Sequence, residues 1–374
     1  MPMLKTYKYR LSPTKNQTTK LFQTLEECRW LYNHFLEERK TSWENEKKSL
    51  NYYSQAVSIV KLKQDRQTLS DIHSQVLQNV AVRVDLAFKA FFRRVKAGEK
   101  AGYPRFKSKG CYDSITFPQT GFEITEQGLK LSKIGTIKIK LHRQPEGITK
   151  TCTIRRSATG KWYVCFSCIT ENKPLPKSDK TIGIDVGLTS FVTFSDGSKT
   201  ANPRFFRKDE KDLAKVQKKL SKAEKGTHER KKRRKAVAKV HERISNRRNN
   251  FAHQEARKIV NQYGVICIED LSVNQMVHNR CLSKSISDAA WSQFAQYLSY
   301  KAENADRTLV KINPAYTSQT CSQCGHREAK KLSDRVHHCS CCGFVCDRDH
   351  NASLNILRLG TQSLGLALEA PSYL

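Results

Sequence analysis

Two Cys-x-x-Cys pairs near the end of the sequence constrain the local fold more strongly than any other feature. The four residues are Cys321, Cys324, Cys339 and Cys342, with 14 residues between the two pairs. A glycine directly follows each pair, which suits the tight turn of a metal-binding knuckle. Four thiolates around Zn²⁺ make a closed tetrahedral site, which is structural because no coordination position stays open. The pattern therefore predicts one structural zinc ion in a zinc ribbon.

The same segment offers alternative ligands. Other cysteines and histidines could replace one of the four: Cys341, Cys346, His326, His337 and His338. We prefer Cys339 with Cys342 because this choice keeps both knuckles alike, and a ribbon that packs without metal is the other interpretation. A further pair, Cys165 and Cys168, lies in an aromatic and β-branched stretch typical of a strand. Residues three apart in a strand face opposite sides, so we do not expect a metal there.

The charge balance indicates a polyanionic partner. The 374 residues carry 67 Lys and Arg against 35 Asp and Glu, a net charge of +32. Nucleic acid is the first candidate for so basic a chain, whereas an anionic membrane is less suitable because no run of about eighteen apolar residues is present. The first residues lack the apolar core of a signal peptide, and cysteines in such a chain do not indicate a disulfide framework. We expect a cytoplasmic, nucleoid-associated protein.

The first half of the sequence changes from a strand pattern to helix patterns and back. Residues 4–11 alternate like a strand, apolar residues then recur at helical spacing within 14–97, and "GYPRFKSKG" at 102–110 breaks the helices. Short β-branched runs separated by turns follow across 112–171. These patterns predict a small β-barrel or sandwich that includes the first strand, with a helical bundle inserted into it.

The second half shows a different order. After a linker at 171–180, "TIGIDVGLTSFVTFSDGS" predicts a β-hairpin. The order strand, strand, helix, strand, helix, strand, helix then predicts an α/β domain. The whole chain is therefore predicted to be a multidomain protein of the α/β and α+β classes.

Four carboxylates stand out by their surroundings. Asp185 lies within the apolar strand "GIDVGL" and Glu269 ends the strand "VICIE". A buried carboxylate stays charged only when it is paired or binds a metal, so a salt bridge to a buried Arg or Lys is the alternative role for both. Asp347 and Asp349 precede a predicted helix, where an N-cap is the alternative role for one of them.

Acidic residues on separate elements converge around cations. Mg²⁺ prefers oxygen ligands, and two Mg²⁺ ions about 3.5–4 Å apart can hold the attacking and leaving oxygens of a phosphodiester. We therefore predict a two-metal phosphodiester site formed by three of these carboxylates. The zinc-held loop would fix the approach to the last of them.

Several motifs occur in an order that resembles one family. They are "GIDVGL", "IEDLS", "TSQTCSQCG", "CxxCG" and "DRDHNAS…N", with "GYPRFKSK" upstream. Each motif is weak alone, but in this order they resemble TnpB, the protein encoded by bacterial insertion sequences. TnpB is similar to the type V CRISPR effector nucleases and is regarded as their ancestor. The resemblance spans almost the whole chain.

The resemblance implies a fold and a domain order. It implies an RNase H-like (RuvC) nuclease core with an inserted zinc ribbon, and a β-barrel wedge domain that carries an inserted helical recognition domain. Together with the sequence patterns, the resemblance gives the expected domain boundaries. They are 1–13 and 98–172 for the barrel, 14–97 for the helical domain, 173–317 and 347–374 for the nuclease domain, and 318–346 for the zinc ribbon. In the family, the zinc ribbon is a nucleic-acid-loading module.

The implied activity is RNA-guided cleavage of double-stranded DNA, with a guide RNA from the element's own transcript and a short adjacent motif that the protein reads.

By the same resemblance, Asp185 bridges two Mg²⁺ ions and Glu269 is the second acid. The family's Asp-x-Asn-Ala element selects Asp349 over Asp347 as the third. Two alternatives remain: a nuclease-inactive RNA-guided repressor, against which the three acids argue, and a transposase that joins DNA ends.

A basic segment lies between the elements that carry Asp185 and Glu269. Residues 204–248 hold 19 Lys and Arg against 6 Asp and Glu, mostly in a helical register. The cluster "KKRRK" spans more than one helical turn, so its charges cannot all face one phosphate strand. We predict nucleic-acid contacts by Lys231, Lys232, Arg233 and Arg234, and a solvated helix face is the alternative.

Overall fold

The computed structural model describes residues 2–331 and 334–365. The chain separates into two compact units, residues 2–171 and the residues from 172 onward. Residues 366–374 of the expected nuclease domain, 332–333 of the expected zinc ribbon and Met1 of the expected barrel lie outside the described residues. The expected division into four domains stays a prediction.

The first unit combines one large antiparallel sheet with helices inserted after its first strand. Its elements are β1 Met3–Ser12, α1 Lys15–Glu46, α2 Tyr52–Asp65, α3 Ser74–Lys96, β2 Ser114–Phe117, β3 Phe122–Thr125, β4 Gly128–Leu131, β5 Gly135–Lys140, β6 Ile148–Arg156 and β7 Trp162–Thr170. The sheet order β2-β6-β7-β1-β5-β4-β3 places the first strand in the middle, paired with both β7 and β5. The sheet is nearly closed and barrel-like, and the strand pattern at 4–11 and 112–171 is confirmed.

Local signals explain where the inserted helices begin and which face they bury. Thr14 caps α1 in a reciprocal capping box with Gln17, and the helix then runs for 32 residues. In α3, Val76, Val80 and Val84 are buried at helical spacing, as their pattern predicts. The helices and the sheet share one hydrophobic core, which accounts for the stability of an insertion that interrupts a barrel.

The second unit contains a mixed sheet, helices on both of its faces, and a small ribbon. Its elements are β8 Thr181–Val186, β9 Ser190–Phe194, β10 Lys199–Ala201, α4 Phe205–Ser221, α5 His228–Gln262, β11 Val265–Glu269, α6 Val273–Met276, α7 Ser283–Ala289, α8 Trp291–Asn304, β12 Thr308–Ile312, β13 Val336–His338, β14 Val345–Asp347 and α9 Arg348–Ser363. The sheet order is β10-β9-β8-β11-β12. β8, β11 and β12 are parallel, and β9 and β10 run antiparallel in turn. The predicted α/β order is confirmed.

Side chains along the central strands alternate between the two faces of this sheet, so each face packs against different helices. Ile184 and Ile268 belong to the core formed with α5 and α8, while Cys267 packs on the opposite face with Ile356 of α9. A Cβ at Gly183 would collide with the backbone oxygen of Ser353 in α9. The absence of a side chain at Gly183 therefore allows α9 to pack directly against β8.

The predicted basic helical run is divided in the structure. The basic run at 204–248 forms two helices, α4 and α5, with Gly226 between them at φ +91°. Further along the chain, Ala290 adopts a left-handed conformation at φ 54° that ends α7 and precedes α8. In the part of the chain that the structure describes, no helix combines the length and apolarity needed to cross a membrane.

Candidate functional site

The four predicted cysteines come together into one cluster. The Sγ atoms of Cys321, Cys324, Cys339 and Cys342 all lie within 4.8 Å of one another. Sγ of Cys321 is 3.7 Å from that of Cys342, and Sγ of Cys324 is 3.5 Å from that of Cys339. Tetrahedral ligands at a Zn–S distance of about 2.3 Å would lie about 3.8 Å apart. The donor set and its spacing therefore fit a structural zinc ion.

Both pairs adopt the same knuckle backbone. Gly325 N–H donates to the carbonyl of Cys321, and Gly343 N–H to that of Cys339, both at 3.0 Å. The two glycines have φ values of +78° and +73°, a region in which other residues are strained. Backbone N–H groups, first that of Cys342, lower the pKa of the Cys339 thiol to about 6. These turns bring the two cysteines of each pair together.

The alternative ligands do not join the cluster. Among the described residues, the four cysteines form the one group of three or more His, Cys, Asp or Glu side chains whose ligand atoms lie this close. His337 and Cys346 instead pair across β13 and β14. Cys165 and Cys168 lie in β7, with Cys168 buried and Cys165 half-buried, as expected for a strand.

The register of the central strands brings the first two carboxylates side by side. Cys267 pairs with Gly183, and Ile268 with Ile184, in parallel register. Asp185 and Glu269 are the next residue on each strand, so they lie at the carboxyl ends of neighbouring parallel strands. By alternation both point to the α9 face of the sheet. Asp349 lies in the first turn of α9, which packs on that face.

The charges of the other two acids act on Asp185. Burial raises the pKa of Asp185 well above that of a free aspartate, and the charges of Glu269 and then Asp349 raise it further. Burial also raises the pKa of Glu269, while a hydrogen bond from the Thr317 hydroxyl at 2.6 Å opposes that rise. Like charges held together in this way favour binding of a cation. In the described residues, however, the carboxylate oxygens do not all approach within the 4.8 Å reached by the cysteines.

The two aspartates at the start of α9 have different partners. Asp347 is the N-cap, and its carboxylate accepts hydrogen bonds from the backbone N–H groups of Asp349 and His350. Asp347 also forms a salt bridge with Lys199 at 2.9 Å, and its pKa is lowered. Asp349 instead pairs with the neighbouring Arg348 at 3.1 Å. The N-cap alternative therefore applies to Asp347 and leaves Asp349 as the third candidate acid.

Comparison with known proteins places this geometry in a family. A family model described as "Probable transposase" matches residues 163–280, and one described as "Cas12f1-like, TNB domain" matches residues 291–356. A protein of Streptomyces pristinaespiralis, named "Putative RNA-guided DNA endonuclease", is 36% identical over 95% of this chain and 89% of its own length. The chain belongs to the TnpB family. The InsQ protein of Escherichia coli K12, which bears the same description, is 29% identical over 96% of this chain and 93% of its own.

A solved structure shares the fold of this TnpB-family chain. The Cas12f1 protein in a complex with single-guide RNA and target DNA superposes with a TM-score of 0.57 at 16% sequence identity, covering 95% of this chain and 98% of that one.

A third family model, described as a helix-turn-helix domain, matches residues 1–48. That part of the chain folds as strand β1 and the single long helix α1.

Several polar residues around the acids in this TnpB-family chain were not predicted. Thr317 donates to Glu269, and Arg348 and Lys199 pair with the two aspartates. Thr317 and Arg348 lie inside the quoted motifs "TSQTCSQCG" and "DRDHNAS", so the motifs were a signal for them. Lys199 is distant in sequence, and no local pattern marks it.

The four basic residues predicted to contact nucleic acid lie near the start of α5. Lys231, Lys232 and Arg234 are exposed. Arg233 is half-buried and forms a salt bridge with Glu229, one turn earlier, at 2.5 Å. Three of the four charges therefore extend into solvent, and the fourth is partly neutralised.

Proposed function

We propose that this chain is an RNA-guided DNA endonuclease that hydrolyses phosphodiester bonds of guide-complementary DNA. The observation that carries the proposal is the convergence of Asp185, Glu269 and Asp349 from two strands and one helix onto one face of the sheet. The names of the two relatives, which match almost the whole chain, support the RNA-guided activity.

The second unit is proposed to be an RNase H-like nuclease core. Its sheet has three parallel strands, β8, β11 and β12, extended by the antiparallel β9 and β10. The acids lie at the carboxyl ends of the parallel strands, which is where open α/β sheets bind ligands. In this assignment the ribbon is an insertion between β12 and α9, and the first unit supplies the wedge and recognition domains.

The site residues are proposed to act through divalent cations. Two Mg²⁺ ions bound here would stabilise the charge that develops on the scissile phosphate and lower the pKa of the attacking water. Asp185, whose pKa is raised by burial and then by the charges of Glu269 and Asp349, would hold the ions together with those two acids, and the Thr317 hydroxyl donates a hydrogen bond to Glu269. Asp349 is held near Arg348 on the rigid first turn of α9. The zinc ribbon holds the chain on the approach to this turn.

The proposed partners are a guide RNA from the protein's own element and double-stranded DNA. The net charge of +32 supports a polyanion, and the exposed cations of α5 are candidate phosphate contacts. A short motif beside the target, read by the protein, belongs to the same proposal.

The test is to purify the protein with transcripts of its own locus and present it with a library of DNA targets. We expect a discrete co-purified RNA, and cutting of complementary DNA only when Mg²⁺ and a particular flanking sequence are present. An Asp185→Asn protein should bind the same targets without cutting them. Binding without any cutting by the wild type would favour the repressor, and joined DNA ends would favour a strand-transfer enzyme.

A further inference from the structure

Two buried asparagines on α9 hold the segment that connects β12 to the first knuckle. Asn351 and Asn355 are 0% and 1% exposed. They lie four residues apart, and therefore one above the other on the same face of the helix. Both contact the backbone of the segment that ends at Cys321.

Both amides form hydrogen bonds to the backbone of this segment. Nδ2 of Asn355 donates to the carbonyls of Thr317 and Thr320, at 3.0 and 2.7 Å. Nδ2 of Asn351 donates to the same Thr320 carbonyl at 2.7 Å, and its Oδ1 accepts the N–H of Ser322 at 2.9 Å. The Thr320 carbonyl therefore accepts one bond from each asparagine. Such a network tolerates an amide but not a carboxylate, which would place an acceptor against an acceptor.

The two ends of this network reach the two candidate metal centres. At one end, Ser322 directly follows the cluster cysteine Cys321. At the other end, the Thr317 hydroxyl donates to Oε1 of Glu269 at 2.6 Å, closer than its 3.2 Å contact with the Pro314 carbonyl. Thr317 is itself 5% exposed, so its hydroxyl is shielded from water.

We propose that Thr317, Asn351 and Asn355 are positioning residues that couple the geometry of the cysteine cluster to the orientation of the Glu269 carboxylate. Asn351 holds the first knuckle against α9, Asn355 holds the Thr317 and Thr320 carbonyls that precede the knuckle, and Thr317 orients Glu269. The same helix carries Asp349, so one element sets the relative position of the cluster and two of the three acids. The role of Glu269 rests on the proposed function, whereas the contact between Asn351 and the knuckle does not.

The first arm of the test measures zinc release from the full-length protein into a chromogenic chelator. Asn351→Asp should release zinc about 10–100-fold faster than the wild type, the range expected when a supporting partner of a metal site is lost. Gln362→Glu makes the same chemical change at an exposed position of α9 and should release zinc at the wild-type rate. Release from Asn351→Asp at the wild-type rate would overturn the proposal.

The second arm compares Thr317→Val, which loses the hydroxyl, with Thr317→Ser, which keeps it. With saturating guide RNA, Thr317→Val should cut about 10–100-fold more slowly and need more Mg²⁺ for its half-maximal rate, with target binding in chelator unchanged. Thr317→Ser should restore both properties. Thr308→Val, at an exposed threonine of β12, controls for loss of a hydroxyl elsewhere. Equal rates for Thr317→Val and Thr317→Ser would refute the orienting role.

The coupling between the cysteine cluster and Glu269 is tested by measuring zinc release and DNA cutting on the same variant. Asn351→Asp should also slow cutting, although its side chain contacts neither Glu269 nor DNA-binding residues of α5. Faster zinc release with an unchanged cutting rate would separate the two centres and overturn the coupling. If the wild-type protein cuts no DNA, the proposed function fails. The coupling proposal is then decided by two other measurements. They are the rate of zinc release and the Mg²⁺-induced rise in melting temperature, compared between Thr317→Val and Thr317→Ser.

Discussion

The cysteine cluster and the carboxylate group lie at opposite ends of one hydrogen-bonded segment, yet they are built on different principles. Four thiols lie within 4.8 Å of one another, held by two matching backbone turns. The carboxylates come from three separate elements, and in the described residues their oxygens do not approach as closely as the thiols. Burial and mutual repulsion raise the pKa of Asp185 in that group.

The difference is the one expected between a structural zinc site and the hydrolytic site proposed above. A structural zinc site gains stability from four ligands arranged locally, with no open position. A hydrolytic site must leave room for substrate and water, and its charges are balanced only when cations bind. The local turns that assemble the cysteines are thus sufficient for the first centre, whereas the second depends on the packing of the whole sheet against α9.

The largest expected effect is the loss of cutting when a carboxylate is removed. The cutting rate should fall in each of three variants, Asp185→Asn, Glu269→Gln and Asp349→Asn. The decrease should exceed the one that follows loss of a supporting residue, which is about 10–100-fold. Guide and target binding should remain, because backbone affinity comes from Lys and Arg. Single-turnover cleavage and a binding titration in chelator measure the two properties separately.

The matched control is the neighbouring aspartate. Asp347→Asn keeps the N-cap, since Asn caps as well as Asp, and should cut at nearly the wild-type rate. Asp347→Ala should cost about 1 kcal/mol of unfolding free energy. Loss of cutting in Asp347→Asn, with activity retained in Asp349→Asn, would exchange the roles of the two residues.

The next effect concerns the cysteine cluster. The purified protein should contain about one zinc ion per chain, and Cys324→Ser should lower both the zinc content and the cutting rate, because metal binding is coupled to folding of the ribbon. Elemental analysis and the cleavage assay provide the two measurements.

Cys341→Ser is the control for that change, since Cys341 is exposed and lies outside the cluster. It should keep its zinc and its activity. A zinc-free protein with full cutting activity would contradict the structural role of the cluster.

A smaller effect should appear in the pH dependence of stability. Because burial and then the charges of Glu269 and Asp349 raise the pKa of Asp185 in the folded protein well above that of a free aspartate, its protonated form stabilises the metal-free fold, and that contribution is lost as the pH rises through the raised pKa. Asn does not titrate. In chelator, the melting temperature of Asp185→Asn should therefore exceed that of the wild type at about pH 8, and the difference should shrink as the pH falls.

Added Mg²⁺ should reverse this order by stabilising the wild type alone. Melting curves at several pH values, with chelator and with Mg²⁺, provide the measurement. A difference between the two proteins that stays constant with pH would show that Asp185 keeps an ordinary pKa.

The smallest effect concerns the basic helix α5. Replacing Lys231, Lys232 and Arg234 with Ala should flatten the dependence of log K on log salt by roughly 0.7–0.9 for each lost phosphate contact. Because Arg233 pairs with Glu229, the further change Arg233→Ala should add little. Target sequence preference should not change, because phosphate contacts position the nucleic acid without reading it.

Binding titrations at several salt concentrations, with guide RNA and with target DNA, test this prediction. An unchanged slope in both titrations would show that this face of α5 points into solvent and that other residues contact the phosphates.

Features encoded by neighbouring residues were predictable from the sequence. The cysteine spacing with its glycines predicted the cluster, and alternating or helical patterns predicted the strands and helices around Asp185, Glu269 and Asp349. In each case the signal extends over a few residues, because turns, strand alternation and helix periodicity are local properties of the backbone.

Only the tertiary structure decided how those pieces meet. It assigned the N-cap to Asp347 and paired Lys199 with it, and it placed Thr317 against Glu269 across 48 residues of sequence. These contacts depend on the parallel register of β8 with β11 and on the close approach of α9 that Gly183 permits. No pattern in a short window of sequence specifies such a register, because it is set by the packing of side chains that are distant along the chain.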